Sequence, residues 1–366
     1  MTTALQLLGP STGGIRVHVA TLARHLEDLG VDAPVVGPAG VLDGLGATAG
    51  TVEVPDGLSP ARLLAARRQL RTWRRSSTLV HAHGLKAAWV AVRGRPALPL
   101  VVTVHNVVLD GPSGPAQRLR RRLEAEVLAR ADRVIAPTQD IADGLSTSVR
   151  RESVRIVVPA SPPPEIERSR SEIRHTLGVS DDTPLVVCVA RLHPQKDLPT
   201  LLRAWTYLRR VVPDAHLAIV GEGPDRESLM RFADGEGIGG SVTFVGFDPH
   251  AVDWIAACDV MALSSVWEAI PLVLVEAMQL GVPVVSTDVG LASDLLGDGR
   301  AGHVAAIGDP EELAEGLGRF LADPAAAADA GAEARRRSAD RFDPVVLSSQ
   351  VAEVYSELVG PVGATA

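Results

Sequence analysis

Two carboxylates, Glu268 and Glu276, close the ends of the stretch Glu-Ala-Ile-Pro-Leu-Val-Leu-Val-Glu. The apolar run Val260-Met261-Ala262-Leu263 ahead of Ser264-Ser265 predicts a buried strand ending in a polar turn. Pro271 stands where a helix begins, because its missing N–H costs nothing at the first helical position. That helix runs through Leu272, Leu274 and Val275 to Ala277, Met278 and Leu280, and Gly281 stops it. The unpaired N–H groups of Leu272 and Val273 then point into the space that Glu268 overlooks. A helix start of this kind favours phosphate by roughly 0.3–1 kcal/mol. A carboxylate beside it is a pure acceptor and suits the paired donors of a sugar. The stretch therefore predicts a ligand that is half phosphate and half polyol.

Other residues could serve the same ligand. The strand predicted over Leu185 to Ala190 leads into Arg191-Leu192-His193-Pro194-Gln195-Lys196-Asp197. Arg191 at a strand end and Lys196 at the next helix start could converge on one diphosphate, the first as a fork and the second as a point charge. Gly9-Pro10-Ser11-Thr12-Gly13-Gly14 after the first strand is a glycine turn leading to a helix at Ile15 or Arg16, where backbone can approach a phosphate. It lacks the Gly-x-Gly-x-x-Gly dinucleotide fingerprint. Strand His216 to Val220 ends in a second tight turn, Gly221-Glu222-Gly223-Pro224. His81-Ala-His83 and Val104-His105-Asn106 follow two further strands. An i, i+2 histidine pair with no third ligand nearby is weak as a metal site, and packed strand-end histidines are the plainer reading of His81.

These residues need elements to carry them. The 366-residue chain exceeds what one core usually holds, so two domains are expected. Its composition, 46% hydrophobic and 22% charged, is that of a globular protein, and the net charge of −8 argues against nucleic acid as a partner. Short apolar strands at Ala4 to Leu8, Ala33 to Val36, Thr78 to His81, Leu100 to Val104, Arg133 to Ala136 and Arg155 to Val158 alternate with helices such as Val17 to Leu29 and Ala116 to Arg130. That alternation predicts an α/β, doubly wound parallel sheet, with ligands beyond the carboxyl ends of the strands. Pro159-Ala-Ser-Pro-Pro-Pro164 reads as a linker. Cys188 and Cys258 fall in expected buried strands, which argues for free thiols in a reducing compartment. The chain opens directly on a core strand with no leader, and no apolar run reaches membrane-spanning length. A cytoplasmic location is expected.

The segment Ser265-x-x-Glu268-Ala-x-Pro271-x-x-x-x-Glu276-Ala-Met-x-x-Gly281-x-Pro283-Val-Val resembles the signature of retaining nucleotide-sugar glycosyltransferases of family 4, with the GT-B fold. The resemblance runs over nearly the whole chain, with its strongest motifs in the second half. It implies two Rossmann-like domains facing a central cleft: residues 1–160 on the acceptor side, a linker at 161–183, a nucleotide-sugar domain at 184–341, and a terminal helix at 342–366 crossing back to the first domain. It implies that Glu268 contacts hydroxyls of the donor sugar, that Glu276 holds the ribose, and that His105 touches the sugar. Arg191 and Lys196 then hold the diphosphate, bordered by Gly13 and Gly14. Gly221, Val245, Gly246, Ile270, Leu272 and Val273 complete the donor side, with backbone near Gly246 meeting the nucleobase. Departures from the family pattern stand at Asn106, Ala190, Asp197, Leu291 and Asp294.

The reaction so implied moves a sugar from a nucleoside diphosphate to a hydroxyl acceptor, a glycan, lipid or small molecule, with the anomeric configuration retained. It uses no metal ion and no cofactor beyond the nucleotide-sugar co-substrate, since no Asp-x-Asp motif appears and protein cations stand in for a divalent ion. The rival readings are a sugar-nucleotide epimerase and a catalytically silent sugar-nucleotide-binding protein. A hydrolase would need two carboxylates flanking the bond, whereas Glu268 and Glu276 both belong to the donor side. Separately, Arg67, Arg68, Arg71, Arg74 and Arg75 on a helix over Pro60 to Arg75, with Leu63, Ala66, Leu70 and Trp73 on another face, raise a peripheral contact with the inner membrane face. A second basic run is Arg118, Arg120, Arg121 and Arg122. A solvated basic face is the ordinary alternative.

Overall fold

The computed structural model describes the chain apart from residues 1, 12–13, 46–47, 58, 93–95, 106–114, 146–148, 160, 298 and 363–366, and apart from the side chains of 115–121 and 340. It divides into two compact units, one of residues 1–162 with 342–366 and the other of residues 163–341. Each is an α/β unit built on a wholly parallel sheet.

In the first unit the strands lie in the order Gly50–Thr51, Val35–Gly37, Thr2–Leu8, Leu79–His83, Leu100–Thr103, Arg133–Ala136 and Val154–Ile156, with Val31–Asp32 also pairing onto Thr2–Leu8. Strands buried on both faces read as nearly continuous apolar runs, as Ala4, Leu5, Leu7 and Leu8 do here around the buried Gln6. Chain order reverses between Thr2–Leu8 and Leu79–His83, where Gln6 stands opposite His81 and Leu8 opposite His83. The helix Gly14–Asp28 covers one face with Val19, Leu22 and Leu26, and the final helix Pro344–Val359 packs into the same core through Leu347, Val351, Val354 and Tyr355. Full burial of such side chains contributes about 1.5–3 kcal/mol each, which makes the chain's last helix an integral part of the unit formed by its beginning.

In the second unit the order is Val242–Gly246, His216–Val220, Leu185–Val189, Val260–Leu263, Val284–Thr287 and Gly302–Ala305. The reversal falls between Leu185–Val189 and Val260–Leu263, whose partners are Val186 with Val260 and Val187 with Met261. Open α/β sheets bind ligands beyond the strand ends at such a reversal. Arg191 follows the first of these strands and Glu268 follows the second.

Four expectations need correction. The stretch 161–183 is more than a linker, because it contains the helix Arg170–Leu177, opened by a capping box between Ser169 and Glu172. Buried Arg174 fastens that helix to the second unit, donating to the carbonyls of Ser180, Asp181 and Thr183 and pairing with Asp259 at 2.9 Å. Pro271 is the N-cap of the helix Leu272–Leu280 and not its first residue, its ψ of 102° being extended. Cys258 ends the helix Ala251–Ala257 and lies ahead of the strand; it is buried like Cys188, and burial pushes both thiols up to about 12.

The fourth concerns the basic helix, found at Pro60–Arg74. Arg67 and Arg74 do not share the exposed face with the other arginines. Arg67 donates to the carbonyls of Trp89 and Val90, and buried Arg74 to those of Ala91 and Pro96. Three of those carbonyls belong to the carboxyl end of the helix Leu85–Ala91, where cations complement the helix dipole. Arg68, Arg71 and Arg75 remain exposed, in one stripe with Leu64. The run Arg118, Arg120 and Arg121 has its side chains outside the described residues.

Candidate active site

The strand Val260–Leu263 delivers Ser264, Ser265 and Glu268 beyond its carboxyl end. There Glu268 forms an ion pair with Lys196, and Ser265 Oγ donates to the same carboxylate at 3.1 Å. The two loops are tied by further bonds. Ser264 Oγ donates to the Lys196 carbonyl at 2.8 Å, Val266 N to the Gln195 carbonyl at 2.9 Å, and Gln195 Nε2 to the Trp267 carbonyl at 2.9 Å. Thr287 Oγ1 donates to the Ser265 carbonyl at 2.6 Å. Gly290, at φ +53°, presses against the carbonyls of Glu268 and Ala269 where a Cβ would collide. The acid is thus held by its own loop, by the Lys196 loop and by the turn after the next strand.

Lys196 ends a short 3-10 turn, Pro194–Lys196, and the following Asp197 has φ +42°, the only positive φ outside glycine among the described residues. The resemblance expected glycine at this position. Asp tolerates the left-handed region better than most residues, which explains how the turn survives the departure. Arg191 is exposed and has no side-chain hydrogen bond or ion pair among the described residues. Its loop rests on the Gly221–Gly223 turn: Leu192 N donates to the Glu222 carbonyl at 2.9 Å, and a Cβ at Gly221 or Gly223 would collide with the carbonyl of Ala190 or Leu192. Gly221 N in turn donates to the Gly246 carbonyl at 2.7 Å. The candidates Arg191, Gly221 and Gly246 therefore adjoin one another, with Val245 half-buried in the strand just before.

The helix Leu272–Leu280 makes its first internal bonds from Leu274 N and Val275 N to the Pro271 carbonyl, at 2.9 and 3.3 Å. The amides of Leu272 and Val273 lie ahead of these first donors and have no acceptor within the helix, as helix geometry requires. Leu274, Val275, Ala277 and Met278 are buried, while Leu272, Val273 and Glu276 form the half-buried stripe at spacings of three and four. Burial alone pushes the Glu276 carboxyl up to about 7, and it has no hydrogen-bond or ion-pair partner among the described residues. The Ile270 side chain is buried, which leaves only its main chain for a ligand.

The remaining candidates belong to the first unit. Gly13 and Asn106 lie outside the described residues, and Gly14 is the first residue of its helix, earlier than Ile15 or Arg16. His105 is half-buried and lines a cavity of about 480 Å³ with Ser11, His83, Trp89 and Glu124. It stacks on His83 with ring centroids 5.6 Å apart, and His18 meets it edge-on at 5.5 Å. His81 is a packed strand histidine, bonded to Tyr355 Oη at 2.7 Å and Thr103 Oγ1 at 2.6 Å, and burial with the nearby His18 pushes it down to about 3. Burial and neighbouring imidazoles likewise hold His83 and His105 well below the usual range. Among the described residues no group of three His, Cys, Asp or Glu side chains is arranged to hold a metal ion.

The sequence reading did not foresee Ser264, Gln195, Thr287 or Gly290 as supports of the Glu268 loop. Ser264 predicts no more than a polar turn, and the tertiary contacts of the others leave no local signal.

Residues 169–337 match the family model of glycosyl transferases group 1, and residues 13–160 match the glycosyl transferase 4-like domain. D-inositol 3-phosphate glycosyltransferase 2 of Catenulispora acidiphila is 30% identical over 394 residues, covering 95% of this chain and 90% of that protein. GDP-mannose-dependent alpha-(1-6)-phosphatidylinositol monomannoside mannosyltransferase of Mycolicibacterium smegmatis is 36% identical over 198 residues, 52% of this chain and 51% of that one. The first of these alignments therefore spans both halves, the second about half of each protein. Among solved structures, Anabaena Alr3699/HepE in complex with UDP and glucose superposes with a TM-score of 0.83 at 23% identity, covering 98% and 100% of the two chains. Sucrose-phosphate synthase from Thermosynechococcus elongatus gives 0.80 at 21%, covering 97% and 99%. At such identities the likeness establishes the fold.

Proposed function

The chain belongs to the group 1 glycosyltransferases, an enzyme family of the GT-B fold with two Rossmann-like domains, and from that membership we propose a retaining, metal-independent transfer of a sugar from a nucleoside diphosphate to a hydroxyl acceptor. The observation that carries the proposal is the Lys196–Glu268 ion pair beyond the strand ends where chain order reverses, beside a helix start whose amides have no partner among the described residues. Cation, acid and amides are the three groups a phosphate joined to a sugar requires.

In this reading the diphosphate lies against the amides of Leu272 and Val273, with Lys196 and Arg191 meeting its oxygens. The glycosidic C1–O bond breaks as negative charge grows on the departing phosphate, and groups already aimed there lower the barrier; removing one such group costs about 3–4 kcal/mol. Glu268 accepts hydrogen bonds from sugar hydroxyls and Glu276 from the ribose, and in the other unit the resemblance gives His105 a hydrogen bond from a substrate hydroxyl. The Gly246 main chain borders the base. The acceptor oxygen bonds to C1 on the face that the phosphate leaves, and its proton passes to the departing phosphate oxygen, so that configuration is retained without a protein nucleophile. Fixed cations do the work that a divalent ion does elsewhere.

The acceptor is a hydroxyl of a glycan, lipid or small molecule. Relatives named for inositol 3-phosphate and for a phosphatidylinositol mannoside make polyol hydroxyls the first class to try. The exposed stripe of Leu64, Arg68, Arg71 and Arg75 supports a peripheral contact with anionic lipid. No described helix is long and apolar enough to cross a membrane.

The test is a panel of UDP-, GDP- and ADP-sugars with polyol acceptors, scored by nucleoside diphosphate release, product mass and the anomeric coupling constant in NMR, with and without chelator. Product of the donor's own anomeric configuration, formed equally in chelator, is expected. Inverted product or loss of activity in chelator contradicts the proposal, and epimerised donor without transfer favours the epimerase.

A further inference from the structure

Gln6 sits in the Thr2–Leu8 strand between Leu5 and Leu7 and is wholly buried. Burying an amide is costly unless its hydrogen bonds are made, and here three are made. Its Nε2 donates to the Ala4 carbonyl at 2.8 Å and to Tyr355 Oη at 3.1 Å, and its Oε1 faces His83 Nε2 at 2.9 Å. The orientation is not arbitrary. A main-chain carbonyl only accepts, so the amide nitrogen must face Ala4 and the amide oxygen must face His83.

From that one constraint the protons along the chain of rings follow. His83 carries its proton on Nε2, in order to donate to Gln6, and a neutral ring then has a lone pair on Nδ1. That lone pair faces His105 Nε2 at 3.4 Å, a long hydrogen bond in which His105 is the donor. His105, neutral in turn, keeps its free lone pair on Nδ1. Tyr355 belongs to a side branch that Gln6 does not orient: it accepts from Gln6, and when its own proton goes to His81 Nδ1 the His81 ring donates from Nε2 to Thr103 Oγ1.

We propose that Gln6 is a positioning residue, which acts through His83 to hold His105 as the Nε2–H tautomer and so leaves Nδ1 of His105 to accept a hydrogen bond from a substrate hydroxyl. The hydroxyl contact rests on the role given to His105 above, whereas the tautomer does not. A second partner that fixes which nitrogen of a histidine is protonated is a general way of setting what the ring offers a ligand. Burial and the adjoining imidazoles keep the rings neutral, so the chain carries direction without carrying charge.

The direct test is long-range 1H–15N correlation spectroscopy of the histidine rings in the full-length, ligand-free protein. Both His83 and His105 should show a protonated Nε2 and a bare Nδ1; a protonated Nδ1 on His105, or a mixture, overturns the proposal. In Gln6→Met both rings should become tautomer mixtures. The kcat for the active donor should fall about tenfold, the lower end of what the outer partner of a metal-bound histidine is worth, with nucleoside diphosphate affinity unchanged. Tyr355→Phe should alter only His81, because the Ala4 carbonyl alone still orients Gln6. A merely structural network would disturb all three rings in both variants, and that result overturns the relay. Retained tautomers in Gln6→Met also overturn it. Lost tautomers with kcat unchanged overturn the hydroxyl contact, and with it the role of His105, while leaving the relay intact. Should Gln6→Met not fold, the wild-type spectrum and Tyr355→Phe still decide the tautomer.

Discussion

Lys196 and Glu268, 72 residues apart in the chain, form an ion pair whose side chains are only 14% and 13% exposed. Breaking a pair so sheltered leaves one charge poorly solvated, and residues in direct contact usually couple by about 0.5–3 kcal/mol. Lys196→Met and Glu268→Gln should each lower the melting temperature, and the double variant should lie above the sum of the two losses. A strictly additive double-mutant cycle would show that the pair does not hold the two loops together. All three variants should lose transfer activity, since each lacks at least one group that meets the donor.

Glu276 gives two opposite dependences on pH. Its carboxyl is raised to about 7 in the fold, against roughly 4.3 when unfolded. Between those values the native state keeps a proton that the unfolded state has released, so this contribution to stability is full below about pH 4 and is lost as pH rises through 7. Donor binding has the other sign, because the ionised carboxylate is what accepts ribose hydroxyls. Affinity for a nucleotide sugar should rise between pH 6 and 8, by no more than about tenfold per unit, and Glu276→Gln should flatten both profiles. Calorimetric titration at several pH values, paired with thermal melts, checks the two signs independently.

Asp197 occupies a left-handed conformation that glycine adopts without strain. Asp197→Gly should raise stability by about 0.5 kcal/mol, the relief of strain being partly offset by the freer unfolded chain. Chemical denaturation measures this, and a loss of stability would mean that the aspartate side chain contributes more than its backbone costs.

The arginines of the Pro60–Arg74 helix and of Arg75 should separate into two classes. Replacing Arg68, Arg71 and Arg75 together by Gln should abolish flotation with anionic vesicles at low salt and leave the melting temperature unchanged. Arg74→Gln should do the reverse, since it removes the buried guanidinium that donates to the carbonyls of Ala91, at the Leu85–Ala91 helix end, and of Pro96. Absence of flotation by the wild-type protein would dismiss the membrane contact altogether.

Much of this was legible in the sequence, and the limits have physical causes. Arg133–Ala136 and His216–Val220 are legible to the residue, because each opens on a polar residue, continues as a buried apolar run and stops at Pro137 or Gly221. Periodicity correctly separated Ala66 and Leu70 from the arginines but placed Arg67 and Arg74 in solvent, because the pattern of one helix does not reveal the carbonyls of its neighbour. The capping box Ser169-x-x-Glu172 was visible and was masked by the prolines ahead of it. Pro271 was misplaced by one position because the ring suits either side of a helix start. Gln6 could not have been recognised at all: one polar residue in a core strand signals a partner, but its partners His83 and Tyr355 are 77 and 349 residues away.

The measurement that bears most directly on the account is calorimetric titration of the active nucleotide sugar into the wild-type protein, Lys196→Ala and Glu276→Ala, each verified as folded by its melting curve. The wild type should bind at a single site and both variants should bind much more weakly, Lys196→Ala through the diphosphate and Glu276→Ala through the ribose. Undiminished affinity in both variants would contradict the donor site assigned to this unit.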